Sequence, residues 1–263
     1  MKIVCLKGGL GNQMFEYCRY KKLLEKNEEQ VYLYIDHRST KLHGGVQLSE
    51  AFGIQLPPVN VLISLFVALL KTCRKLRIFR RLYDDEDPHA ILIDDYSQQR
   101  QFIGNAHSYL CFKSINESDF SSLIKTAIYP VSVHVRRGDY LDESNIKNFG
   151  VCSTEYYRKA ISRILIKHPD ATFFVFSDDM QWVRENLFIP NVVFVVHENP
   201  LPDYMDMYLM TLCKGHIIAN STFSFWGAYL SSEPDNFTIY PQKWFAEPSW
   251  TVPDIFPDEW VRQ

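Results

Sequence analysis

His134-Val135-Arg136-Arg137-Gly138-Asp139-Tyr140 puts an imidazole, two guanidiniums and a carboxylate into seven consecutive residues at the end of the apolar run 129–135. Along an extended strand His134 and Arg136 alternate with Val133 and Val135, so the two polar side chains share one face where the strand leaves its sheet. A guanidinium is a rigid fork of donors that matches two phosphate oxygens at once, which makes Arg136 a candidate diphosphate clamp. The same residues also fit a plain local arrangement, an Arg136–Asp139 ion pair at a turn. The embedded Arg137-Gly138-Asp139 carries no implication of cell adhesion.

Three other segments have comparable chemistry. Phe173-Phe174-Val175-Phe176 runs into Ser177-Asp178-Asp179 and a helix through Trp182. A carboxylate there caps the helix, or else accepts from the adjacent N1–H and amino donors of a guanine. Ile217-Ile218-Ala219 is followed by Asn220-Ser221-Thr222-Phe223-Ser224. Hydroxyl residues opening a helix leave backbone N–H groups where an anion can sit, and one such residue is enough for ordinary capping. Lys7-Gly8-Gly9-Leu10-Gly11-Asn12-Gln13 forms a glycine loop. Its glycines fit neither G-x-G-x-x-G nor a P-loop, so taken alone it says little.

These segments must be positioned by the elements around them, and the chain alternates strand and helix. Strand-like runs occur at 3–6, 31–35, 129–135, 172–176, 192–196, 215–219 and 237–240; helical spacing occurs at 14–26, 154–168, 180–187, 205–213 and 224–230. Such alternation predicts an α/β protein with parallel sheets, helices on both faces and ligands at the carboxyl ends of the strands. The apolar run 59–70 is too short to span a bilayer. It is followed by Lys71, Arg74, Lys75, Arg77, Arg80 and Arg81, and then by Asp84-Asp85-Glu86-Asp87. Residues 59–81 read either as a basic amphipathic helix at an anionic membrane surface or as a core helix with a solvated end.

Composition sets the bounds. The 263 residues are 46% apolar and 22% charged with a net charge of −3, which excludes fibrous and disordered classes and gives no positive field for nucleic acid. Cys5, Cys18, Cys73, Cys111, Cys152 and Cys213 form no C-x-x-C pair and read as reduced thiols rather than a zinc site. The first residues enter a strand without a secretory pattern, so a cytoplasmic protein is expected. The sequons at Asn116, Asn220 and Asn236 are then coincidental.

Together, Gly8-Gly9-Leu10-Gly11-Asn12-Gln13-Met14-Phe15, His134 to Tyr140, Phe176-Ser177-Asp178-Asp179 and Asn220 to Leu230 resemble, in order and spacing, the alpha-1,2-fucosyltransferases of glycosyltransferase family 11. The resemblance implies a GT-B-type α/β fold of two Rossmann-like halves facing a central cleft: an N-terminal, acceptor-side domain over 1–125 and a C-terminal, GDP-fucose-binding domain over 126–263. It also implies L-fucose transfer from GDP-β-L-fucose to the 2-hydroxyl of a galactose-terminated acceptor, with inversion, in surface glycan or O-antigen synthesis, with no cofactor and no metal.

On that resemblance Arg136 matches the diphosphate arginine and His134 the histidine lining the nucleotide site. Asp178 or Asp179 matches the guanine-reading acid, and Asn220, Ser221, Thr222 and Phe223 belong to the donor site. Gly9, Gly11, Asn12 and Gln13 match the cleft loop. The chain departs from the pattern at Glu16, where Gln is common, and at Ala219, Phe225, Gly227 and Tyr229. Asp139, Glu16 and Glu143 are candidate bases by type. The competing expectations are a metal-dependent GT-A transferase using Asp85-Glu86-Asp87 and a noncatalytic carbohydrate-binding, membrane-associated module.

Overall fold

The computed structural model describes residues 1–26, 29–83, 87, 89–113, 115, 118–233 and 236–263. Asp85 and Glu86 of the candidate cation motif, and the Asn116 sequon, lie outside the described residues. The chain divides into two compact units, Met1–Lys113 and Ser114–Gln263.

Unit 1 runs β1 (Lys2–Leu6), α1 (Leu10–Lys26), β2 (Val31–Ile35), α2 (His37–Lys41), α3 (Leu48–Phe52), α4 (Val61–Leu76), β3 (Leu92–Ile93), α5 (Arg100–Ile103) and α6 (Ala106–Tyr109). Its strands pair in the order β2-β1-β3, all parallel. The helix expected from residue 14 starts four residues earlier. Gly8 turns the chain at φ +70°, a value that favours glycine, and Gly11-Asn12-Gln13 form the first turn of α1 instead of a loop.

α4 absorbs both the apolar run and its first basic residues. Asn60 caps it by accepting from the Ile63 N–H at 3.2 Å, and it stops at Arg77 in the left-handed region, φ 57°. Val67, Leu70 and Cys73 pack against Ile3, Cys5 and Leu92 of the sheet.

Unit 2 runs α7 (Asp119–Thr126), β4 (Tyr129–Val135), α8 (Glu143–Ile146), α9 (Thr154–Lys167), β5 (Ala171–Ser177), α10 (Met180–Asn186), β6 (Val192–Phe194), α11 (Tyr204–Thr211), β7 (Gly215–Ile217), α12 (Thr222–Tyr229), β8 (Phe237–Tyr240) and β9 (Val261–Arg262). The unit begins earlier than the boundary expected near residue 125. α7 carries Ile124 into a cluster with Phe174, Phe176, Leu209 and Met210, so the helix before β4 belongs to this core.

The sheet order is β6-β5-β4-β7-β8-β9, entirely parallel. Val131, Val133 and Val135 face Tyr157, Ile161 and Ile164 of α9, while Phe174 and Phe176 of β5 face α11. Both faces are covered, and each buried Phe or Val stabilises the unit by about 1.5–3 kcal/mol. From central β4 the chain goes outward to β5 and β6, then crosses to β7, β8 and β9. The strand order therefore reverses between β4 and β7, and ligands of open parallel sheets bind at the carboxyl side of such a reversal.

Candidate active site

Because β5, β4 and β7 are neighbours, the segments after their carboxyl ends come together. Val135 pairs with Ser177 and Val133 with Ile217. Three of the motifs read from the sequence thus share one end of one sheet. The Arg136 Nη2 donates to Asp139 Oδ1 at 2.7 Å, and its Nη1 lies 2.9 Å from Asp178 Oδ2. The guanidinium also sits 5.5 Å from the centre of the Tyr140 ring. Its side chain stays 33% exposed, so the guanidinium is braced at both terminal nitrogens without being buried. The local Arg136–Asp139 ion pair expected as one reading is present.

Asp178 uses its other oxygen to accept from the Arg137 N–H at 2.8 Å. Gly138 makes this approach possible, since a Cβ there would stand 2.7 Å from Asp178 Oδ2. The neighbouring arginine has a different role. Arg137 lies over the Trp182 ring at 3.8 Å and donates through Nε to Asp179 Oδ2 at 3.2 Å. Asp179 in turn caps α10, its Oδ1 accepting from the Trp182 N–H at 3.1 Å. Both candidate guanine readers thus have partners in the protein: Asp178 positions Arg136, and Asp179 joins Arg137 to a helix start.

His134 points to the α12 side of the sheet, its ring 5.7 Å from that of Phe223. It is buried, and its Nδ1 has no partner. Burial, with a smaller contribution from the Arg136 charge, pushes its pKa down to about 3, so the imidazole is neutral at physiological pH. At the start of α12, Ser221 is the cap and accepts from the Phe223 N–H at 3.3 Å. Thr222 and Phe223 are half-buried in the first turn, where amides lack intrahelical acceptors.

Asn220 is spent differently from Ser221. Its Nδ2 donates to the carbonyls of Phe149, Gly150 and Trp244 at 3.0, 3.3 and 3.1 Å, and its own carbonyl accepts from Tyr140 Oη at 3.3 Å. Asn220 therefore ties the loops around the strand ends together.

In unit 1 the glycine loop leaves β1. Gln13 is buried, donating to the carbonyls of Gly8 and Gly45 at 2.9 and 2.8 Å and accepting from the Gln47 N–H at 3.2 Å. The Asn12 Oδ1 accepts from Gln98 Nε2 at 3.1 Å. Gly9 precedes α1, with His43 as its nearest side chain, and Gly11 lies inside the helix. Glu16 has no exposed surface. Its Oε2 accepts from the Lys7 N–H at 2.7 Å and its Oε1 has no partner. Burial drives its pKa well above the ordinary carboxylate value. Glu143 is an exposed partner of Lys147. A groove of about 930 Å³ also lies in unit 1, along edge strand β2 and the first half of α4.

Residues 103–263 match the model of glycosyl transferase family 11. The chain belongs to this family. An Escherichia coli alpha-1,2-colitosyltransferase is 29% identical over 98% of this chain and 97% of its own length. The Escherichia coli O-antigen biosynthesis glycosyltransferase WbnK is 30% identical over 92% and 94%. Galactoside alpha-(1,2)-fucosyltransferase 1 of Leontocebus fuscicollis is 38% identical over 50% of this chain and 37% of that protein. This family 11 chain is accordingly a glycosyltransferase, and the matched region contains all of unit 2.

Its site also depends on residues that no motif flagged. Trp182 supplies the face under Arg137. The Tyr156 Oη donates to the carbonyls of Ile218 and Ile239 at 2.7 and 3.1 Å, pinning the exit of β7. Tyr156 and Trp182 occupy amphipathic helices where an aromatic reads as core, and only the fold shows their polar contacts. The buried His216, whose Nδ1 lies 2.8 Å from Ser132 Oγ, was equally invisible.

Proposed function

We propose that the enzyme transfers L-fucose from GDP-β-L-fucose to the 2-hydroxyl of a galactose-type acceptor, inverting the anomeric centre to an α-1,2 linkage, in the synthesis of a surface glycan such as O-antigen. In this reading unit 2, of GT-B type, binds the donor and unit 1 is the acceptor-side domain. The observation that carries it is the half-exposed Arg136 fork, braced by Asp139 and Asp178 at the β4–β7 reversal. As the sugar–phosphate bond breaks, negative charge grows on the departing diphosphate. Arg136 and the first-turn amides of α12 stabilise that charge without a cation. His134, neutral and buried beside Phe223, lines the nucleotide site together with Ser221 and Thr222, and Asp178 or Asp179 reads the guanine with lone pairs left over from their protein contacts. Asp139, whose side chain is 40% exposed, is assigned as the base, since Glu16 has no exposed surface.

A donor screen with GDP-fucose, GDP-mannose and UDP-galactose on lactose-type acceptors, with linkage analysis, tests class, donor and linkage together. GDP-fucose giving an α-1,2 product supports the proposal, and turnover of another donor alone overturns it. Activity in excess EDTA is expected to stay within a few-fold of that with Mg²⁺, whereas complete loss, restored by metal, favours the metal-dependent alternative.

The likeness to a colitosyltransferase over nearly the whole chain supports a second donor reading. Colitose is fucose without its 3-hydroxyl. A site that hydrogen-bonds that hydroxyl disfavours the deoxy sugar by roughly 10⁴–10⁵ in kcat/KM, so comparing the two GDP-sugars decides between them.

A further inference from the structure

We propose that the outward face of α4 and the turn that follows it form a docking surface for an anionic lipid bilayer. Residues 59–83 contain no Asp or Glu, and six Lys or Arg. α4 turns only part of its apolar surface to the sheet, through Val67, Leu70 and Cys73. Leu62, Leu65, Leu69 and Leu76 are 76%, 64%, 57% and 65% exposed. At 100° per residue these four fall within about 60° of one another around the helix, forming a single stripe about 20 Å long. Scattered exposed leucines need no explanation, but a continuous stripe does. Just beyond it, Phe79 is held in the left-handed region at φ 54° and is 69% exposed. A bulky aromatic in that conformation is strained, and here the strain extends the apolar surface past the helix end.

Charge identifies the occupant. The basic residues that turn toward the body of unit 1 meet carboxylates: Lys71 pairs with Asp36 at 2.7 Å and Arg74 with Asp94 at 3.2 Å. Lys75, Arg77 and Arg81 are exposed around the end of the helix, close in sequence to Leu76 and Phe79. Apolar side chains flanked by cations that pair with no carboxylate among the described residues match a bilayer whose headgroups are anionic: the leucines enter the headgroup–acyl boundary while the long basic side chains reach phosphates. A second copy of the chain would also cover the leucines, and the oligomeric state in gel filtration separates that outcome from vesicle binding. No helix among the described residues is long and apolar enough to cross a membrane, so the contact is interfacial.

The test is flotation of the full chain with vesicles of phosphatidylcholine alone or of phosphatidylglycerol mixed with phosphatidylethanolamine. The protein is expected to float with the anionic vesicles, to be released by high salt, and to ignore phosphatidylcholine. Neutralising Lys75→Gln, Arg77→Gln and Arg81→Gln together should weaken partition on the order of a hundredfold, at about fivefold per charge. Leu65→Ser with Leu69→Ser should also abolish flotation while leaving the unfolding temperature unchanged, because both side chains are exposed. Wild-type protein that does not float, or variants that float equally well, overturns the proposal. So does a dimer in gel filtration that Leu65→Ser with Leu69→Ser converts to a monomer without any vesicle binding.

Discussion

Units 1 and 2 both place a short turn and polar residues at the carboxyl end of their first strand, yet they use those residues in opposite ways. After β1, Gln13, Glu16 and the Lys7 amide are turned inward onto the protein's own backbone, and Gln13 and Glu16 have no exposed surface. After β4, Arg136, Asp139 and Asp178 bond to one another while keeping part of each side chain in water. A loop whose polar groups are turned onto the protein's own backbone fixes backbone shape. One whose charges are braced but accessible is ready for a ligand, because a preorganised donor needs no reorganisation when charge develops near it.

The largest break of this contrast comes from Arg136. Arg136→Ala is expected to lower kcat by on the order of 100–1,000-fold with a smaller rise in donor KM, because the fork meets most charge in the transition state. Arg136→Lys should recover little, since an ammonium cannot grip two oxygens. Arg137→Ala is the internal comparison. It removes the stacking on Trp182 and the Asp179 contact, so the unfolding temperature should fall more than kcat does. Near-wild-type kcat in a folded Arg136→Lys enzyme ends the clamp assignment.

Next in size are the two buried amides that organise the loops. Asn220→Ala strands three carbonyls in unit 2 and should cost about 2–4 kcal/mol, against about 1–3 kcal/mol for Gln13→Ala in unit 1. Urea unfolding of both variants checks this. If the Asn220 variant is fully stable yet has a raised donor KM, Asn220 acts on the donor directly.

A third effect is acid sensitivity. His134 and His216 have pKa values lowered to about 3 by burial. They stabilise the fold above the ordinary value near 6.5, and that contribution is lost as pH falls toward 3, by about 1.4 kcal/mol per pH unit for each. Thermal unfolding between pH 6.5 and 4 should show this slope, and His216→Asn should reduce it. A flat profile contradicts neutral burial of these rings.

Much of this was legible in the sequence. The strands 31–35, 129–135 and 237–240 agree residue for residue with β2, β4 and β8, because β-branched and aromatic runs bounded by turn residues leave little choice. The strands expected at 192–196 and 215–219 end earlier, at Phe194 and Ile217, although Val195 and Ile218 still donate to Val175 and Ile239 of the neighbouring strands. The start of α1 was missed because Gly11 and Asn12 have poor helix propensity, which the buried contacts of Gln13 outweigh. At the site, residue types and strand ends located Arg136, Asp178 and Ser221. The division of labour between Arg136 and Arg137, or between Asn220 and Ser221, depends on which neighbour each side chain meets across 40 to 80 residues of chain, and no local pattern encodes that.

The smallest and sharpest prediction concerns Glu16, the position where the resemblance leads one to expect Gln. Burial raises its folded-state pKa well above the ordinary value of 4.5. Below pH 4.5 the carboxyl is protonated in both folded and unfolded chains, and the stability due to holding that proton is fully present. As pH rises, the unfolded chain releases the proton while the folded chain keeps it, so unit 1 loses about 1.4 kcal/mol per pH unit until the folded pKa is reached. Gln keeps an oxygen for the Lys7 N–H and does not titrate. Glu16→Gln should therefore have a near-constant stability offset in acid and an advantage that grows as pH rises above 4.5 until the folded-state pKa is reached, whatever the fixed cost of placing an amide beside the partnerless Oε1 position. Thermal unfolding of both proteins from pH 4 to 8 measures the slope, which is independent of that cost. Equal slopes combined with loss of kcat would remove Glu16 from the structural role and return it to the reaction as the base, whereas a steeper slope for Glu16 with kcat retained leaves Asp139 as the base to test.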